Sequence, residues 1–151
     1  MRRTIVLVLL VSCVALSLSA QAMGAGVFLG QPSGLSFGVD LAKTQGLDFK
    51  AAWNLGTAKG GAAIILQGNY ELFFPRVLVI EGQNFVPFIG VGAQLAVADG
   101  SLGLGIHVPG GINWRPRTVP IELFLELGLD IGLFPATTFG GSGGLGVRYR
   151  F

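Results

Sequence analysis

Glu122, Glu126 and Asp130 recur at every fourth residue, and seven large aliphatics alternate with them: Ile121, Leu123, Leu125, Leu127, Leu129, Ile131 and Leu133. On a helix the acids would form one stripe, but the aliphatics would wrap nearly all the rest. On a strand the same residues separate cleanly, acids on one face and aliphatics on the other. Carboxylates placed opposite so oily a face have two uses. They can pair with cations in a shielded interior, or they can line a path for ions. Reading the same parity elsewhere puts Lys50, Glu71, Arg115, Arg148 and Arg150 on the inner side as well. Ser36, Asp40, Asp48, Asn54, Gln67, Asn69, Gln94, His107 and Asn113 join them, so the inner face holds six of the eight acids. Charges in such a place must be paired and hydrogen-bonded to be tolerated. The expected ion-pair network is therefore Glu71, Lys50, Arg115, Glu122, Glu126, Asp130, Arg148 and Arg150. Glu122 is expected to face Arg150, and Glu126 to lie opposite or diagonal to Arg148.

Other chemistry finds little support. His107 is the only histidine; its second neighbour is Pro109 rather than a serine, and its parity points inward, as for a satisfied interior histidine. One histidine and a single cysteine at position 13 leave only carboxylates as metal ligands, so no metal site is expected. The glycine run at 140–144 follows no strand-to-helix pattern and cradles no phosphate. No cofactor is expected.

These side chains need elements that hold them, and composition narrows the choice. Mean hydropathy is +0.66 with only 12% charged residues. Beyond residue 22, no apolar run reaches the ~18–20 residues of a membrane-spanning helix. A closed β-barrel is the other structure that satisfies its backbone within a bilayer. The 25 glycines suit turns and a cramped interior. At 151 residues there is room for one domain.

Residues 1–22 read as a cleaved signal peptide: Arg2 and Arg3, an apolar core from Ile5 to Leu18, and the small-residue site Ala20-Gln21-Ala22. The rival is lipoprotein processing at Cys13, since Leu10-Val11-Ser12-Cys13 resembles a lipobox; against it, the apolar run continues through Val14, Ala15 and Leu16. Removing Arg2 and Arg3 brings the ten basic residues to eight, equal to the eight acids. The basic balance thus belongs largely to the leader and gives no reason to expect nucleic acid. Residues 23–151 then form the barrel.

Eight strands are predicted, at about 24–30, 35–42, 47–55, 62–74, 85–97, 102–115, 121–133 and 142–151. The segment 75–84 is the longest connection; Val77 to Ile80 could extend a strand, form an amphipathic turn or pack under the barrel. Pro109 lacks a ladder donor, which predicts a kink or bulge without loss of parity. Outward residues include Leu35, Phe37, Val39 and Leu41 in the second strand. Aromatics near strand ends, namely Trp53, Tyr70, Phe74, Phe85, Trp114, Tyr149 and Phe151, fit interfacial girdles. The fold class is all-β: an eight-stranded, antiparallel, up-and-down transmembrane β-barrel.

The closing Gly146-Val147-Arg148-Tyr149-Arg150-Phe151 resembles the terminal strand by which outer-membrane barrels of Gram-negative type are recognised for insertion, with Tyr149 and Phe151 as the signal. Size and architecture resemble the OmpA/OmpX-like barrels. The chain is similar also to a group of small bacterial barrels that includes spirochaete members. The matching pieces are 30–36, Val86-Pro87-Phe88-Ile89-Gly90-Val91-Gly92, Ile121 to Glu126 and Gly143 to Tyr149. The resemblance implies a fold, an outer-membrane address, and partners in outer-membrane lipid and the barrel-assembly machinery; a monomer is expected. It implies no reaction. Lipid-modifying barrels need serine and histidine within reach of each other, a pattern His107 does not supply. The expected role is a structural envelope protein with a salt-bridged polar lumen. A narrow or gated pore lined by Glu126, Asp130 and Arg148 is the first alternative. Surface binding is the second, disfavoured by the short expected loops at 31–34, 56–61, 98–101 and 135–141.

Overall fold

Every regular element of the computed structural model, which describes residues 22–54, 63–98 and 100–151, is a β-strand. The signal-peptide reading of 1–22 lies almost wholly outside the described residues, as does the expected loop at 56–61. The strands are β1 (Met23–Gln31), β2 (Ser33–Ala42), β3 (Gln45–Asn54), β4 (Ala63–Phe73), β5 (Leu78–Ile80), β6 (Gln83–Ala98), β7 (Ser101–Trp114), β8 (Ile121–Phe134) and β9 (Thr138–Arg150). All pairs are antiparallel, and β1 pairs with β9. The additional pairing of β4 with β6 closes the ring, so the eight long strands leave no free edge among themselves. Each of the eight has at least 9 residues, enough for a tilted crossing of a bilayer.

The ninth strand resolves the uncertain connection. β5 pairs Leu78 with Phe85 and Ile80 with Gln83, so 78–80 extends the β4–β6 hairpin past the ring. Its turn is Glu81-Gly82, both at positive φ (49° and 76°), the backbone signature of a two-residue hairpin turn. This hairpin, the turn at 43–44, the connection 115–120 and residues 22 and 151 all sit at one end of the barrel, called here the proximal end.

Two expectations need correction. Pro109 makes no bulge, and parity survives across it as expected: the β6–β7 ladder is only interrupted between Ile89↔Gly110 and Gly92↔His107, in one unchanged register. Register shifts fall instead at Asp40/Ala42 and at Leu104/Gly105. The last strand begins at Thr138, not 142, pairing Gly132↔Thr138 through Leu129↔Gly141 with β8. Glycines 140, 141, 143 and 144 carry no hydropathy pattern, so alternation could not reveal this half of the strand.

Burial is inverted relative to a soluble protein. Among the described residues, buried polar or charged side chains outnumber buried apolar ones eleven to seven, Pro109 included. The aliphatics lie on the outside: Leu29 is 64% exposed, Leu127 68%, Leu129 65% and Leu145 61%. No soluble surface normally shows an apolar patch of this extent, whereas lipid acyl chains would cover it. Val39 departs from its expected outward exposure and is buried, flanked in register by Met23 and Leu47. Around the proximal rim Phe85 stacks on Trp114 with centroids 6.1 Å apart, and Tyr149 and Phe151 stand exposed. Trp53, Phe134 and Phe139 stand exposed toward the opposite rim.

Candidate functional site: the polar lumen

Inward positions of neighbouring strands alternate between glycine and long side chains, and the glycines make the room. In β9, a Cβ on Gly146 would lie 1.9 Å from the Phe124 ring of β8. In β8, a Cβ on Gly128 would lie 2.3 Å from His107 Cε1 and 2.6 Å from Ser142 Oγ. A barrel of eight strands has an interior that side chains just fill, and here charged groups and four phenylalanines fill it.

At the proximal end the ring of charges comprises Asp40, Arg115, Glu122 and Arg150. Arg115 donates through Nη1 and Nη2 to the Asp40 carboxylate at 2.7 and 3.0 Å, and through Nε to Glu122 at 2.5 Å. Arg150 donates to Glu122 at 3.1 Å and also to Asp40. Deeper in, Arg148 bridges three groups: it donates to Glu122 at 2.9 Å, to Ser36 Oγ at 2.6 and 2.9 Å, and to Asp48. Lys50 reaches Asp48 on its own strand at 2.6 Å and Glu126 across the lumen at 2.7 and 2.8 Å. At the far end His107 Nδ1 meets Asp130 at 2.7 Å, and Gln67 donates to Gln94 at 2.9 Å. A continuous polar chain thus runs from Asp40 to Glu126, with the His107–Asp130 pair beside its end.

Of the eight residues expected in the network, six make ion pairs, Asp130 pairs with His107, and Glu71 makes none among the described residues. Glu71 is buried, yet among the described residues no Lys or Arg nitrogen lies within 4.0 Å of it. The cations deepest in the lumen are engaged elsewhere, Lys50 by Asp48 and Glu126 and Arg148 by Asp48 and Glu122. Glu122 faces Arg150 as expected. Glu126 does not pair with Arg148: in register Arg148 sits directly opposite Glu122, while Glu126 lies opposite Gly144 and takes Lys50 instead. Asp130 pairs with His107 rather than with Lys or Arg.

Asp40, Asp48 and Ser36 belong to the network although parity alone gave no partner for them. The inward phenylalanines also escaped the reading. Arg148 lies over the Phe124 ring at 4.1 Å, Lys50 over Phe28 at 5.3 Å, and Arg115 over Phe73 at 5.9 Å. Phe28 stacks on Phe124 at 5.9 Å. These faces supply cation–π attraction where water is excluded. The available signal was phenylalanine at inward parity beside glycine.

Asp48, Glu71 and Glu126 bring carboxylate oxygens within 4.8 Å of one another, a grouping with ligand chemistry that sequence spacing concealed. The Lys50 ammonium already supplies a cation to two of the three. His107 is only half satisfied, because among the described residues Nε2 has no hydrogen-bond partner and lies 3.6 Å from Glu126. Gly128→Ala tests how this end is held. The added methyl must displace the His107 ring, at a cost of about 1–3 kcal/mol. Because His107 is the only histidine, its ring signals are unambiguous in an NMR spectrum of labelled protein. The expected result is loss of the hydrogen-bonded Nδ1–H resonance; an unchanged resonance would show that Asp130 holds the ring without help from Gly128.

No protein-family model matches the chain, and no curated protein matches it by sequence. Solved structures do match it. The N-terminal β-barrel domain of OprF from Pseudomonas aeruginosa superposes with a TM-score of 0.56 at 16% identity, over 87% of this chain and 96% of that one. Neisserial surface protein A (NspA) gives a TM-score of 0.56 at 16% identity, over 87% of this chain and 95% of that one. At this identity the likeness concerns the fold, which is that of the small, OmpA/OmpX-like eight-stranded β-barrels.

Proposed function

We propose that the protein is a structural component of a bacterial outer membrane, a monomeric barrel closed to ions by its own interior and without catalytic activity. The observation that carries this reading is the uninterrupted network from Asp40 to Glu126, whose members Asp48, Glu122, Glu126 and Arg148 are each at most 4% exposed. Every one of their charges has an ionic partner, and four phenylalanines occupy the space between. The exposed aliphatic belt supports a lipid surround, and the closed ring leaves no edge for a neighbour. In this reading β9 presents Tyr149 and Phe151 to the assembly machinery during insertion.

Planar-bilayer recording tests the plug. The refolded protein is expected to give no discrete conductance steps. Glu126→Ala leaves Lys50 with Asp48 alone, and the expected result is at most irregular leak. Reproducible steps from the unmodified protein, with cation selectivity altered by Glu126→Ala, would replace the plug by a pore.

A further inference from the structure

The lumen pairs its cations, whereas the proximal mouth also carries three, Lys43, Arg76 and Arg117, that have no acid partner among the described residues. A vestibule of about 740 Å³ opens there, lined by the turn at 43–44, the β4–β5 connection, the start of β6 and the β7–β8 connection. Its lining includes Lys43, Arg76, Arg115 and Arg117, against a single acid, Asp40. Asp40 is already held by Arg115 and Arg150. Lys43, Arg76 and Arg117 are exposed and, among the described residues, have no carboxylate within 4.0 Å. The volume lies in the range of small-molecule sites. A concave mouth lined by one sign of charge focuses its field outward.

Arg76 is held in place by its turn. It holds a left-handed backbone (φ 68°), which a non-glycine residue rarely adopts, and its N–H donates to Asn84 Oδ1 at 3.2 Å. Asn84 also lines the vestibule. The position is the second residue of the Pro75-Arg76 turn, and the hydrogen bond to Asn84 ties that turn to the start of β6. Nothing in closing the barrel requires an arginine at that position, where glycine would be unstrained. The hairpin thus holds one guanidinium at the mouth, the β7–β8 connection brings a second, and the β2–β3 turn adds an ammonium.

We propose that this vestibule binds a phosphate-bearing anion through Arg76, Arg117 and Lys43. Guanidinium forks match phosphate oxygens in pairs, and the ammonium adds a mobile point charge. The paired Arg115–Asp40 floor stops the anion from entering the lumen.

The test is isothermal titration of inorganic pyrophosphate into the full chain purified in an uncharged maltoside detergent. Saturable binding with one site per chain is expected, weakening as salt rises. Arg76→Gln and Arg117→Gln should each weaken it about tenfold, as loss of a charge-assisted contact implies. All three positions are exposed, and retained heat-modifiable migration on a detergent gel would confirm that each variant still folds. Absence of saturable binding at millimolar pyrophosphate would overturn the proposal, as would equal binding by the Lys43→Gln/Arg76→Gln/Arg117→Gln variant. Adding phosphatidylglycerol to the micelles then separates two sources of the anion. Displacement of pyrophosphate assigns the site to lipid headgroups, and undiminished binding assigns it to a soluble phosphate compound.

Discussion

Arg148→Met is expected to cost about 3–5 kcal/mol of unfolding free energy, the cost of removing one partner from a buried ionic cluster. Arg148 is 4% exposed and ties Asp48, Glu122 and Ser36 together from three different strands. Its removal strands Asp48, whose remaining cation is Lys50, and leaves Glu122 leaning on Arg115 and Arg150. Methionine keeps much of the side-chain volume, so lost packing against Phe124 contributes little and the effect reports charge. The measurement is urea-induced unfolding from phosphatidylcholine vesicles, followed by tryptophan emission and by the gel shift between folded and boiled protein. Two further variants identify the cause. Arg148→Lys restores charge without the fork and should recover only part of the loss. Neutralising the stranded acid with Asp48→Asn in the methionine background should recover more, because the excess buried charge then disappears. A destabilisation under about 1 kcal/mol for Arg148→Met would mean that water enters the lumen freely and screens these charges. That result would also remove the physical basis of the plug.

Leu127→Arg is expected to destabilise by about 2–4 kcal/mol, as for a cation placed on the lipid side at mid-bilayer. Leu127 is 68% exposed near the middle of β8, opposite Gly110 on one side and Gly143 on the other. For a barrel standing in water, an exposed Leu→Arg change would stay within about 0.5 kcal/mol, since no packing or pairing is lost. The two environments therefore predict different outcomes for one substitution, measured by the same vesicle unfolding assay. Ile121→Arg, at the proximal rim of the same strand face, serves as the internal comparison. Its guanidinium can reach the interface, so its cost should be about 0–1 kcal/mol. Equal, small effects at both positions would contradict a lipid-facing belt.

The sequence by itself determined which face most strand residues occupy, with Val39 as an exception. Thirteen residues of strict alternation at 121–133 suffice to separate the lipid-facing leucines from Glu122, Glu126 and Asp130, because a strand has period 2 and admits no other division. Hydropathy without a long apolar helix then required closure, and eight alternating segments set the size. What parity could not supply was the partner. Lys50 of β3 and Glu126 of β8 are far apart in the chain and around the ring, and they meet only because the barrel closes and long side chains cross its centre. Register decides the rest: Arg148 stands opposite Glu122 rather than Glu126, a matter of four residues that no hydropathy pattern encodes. The glycine-rich start of β9 and the hairpin strand β5 were hidden for related reasons, the first lacking side chains to alternate and the second being too short to show a period. Only the tertiary structure, moreover, brought Lys43, Arg76 and Arg117 from three separate connections to one mouth. Faces follow from local covalent geometry, whereas partners follow from closure, and closure is a property of the whole chain.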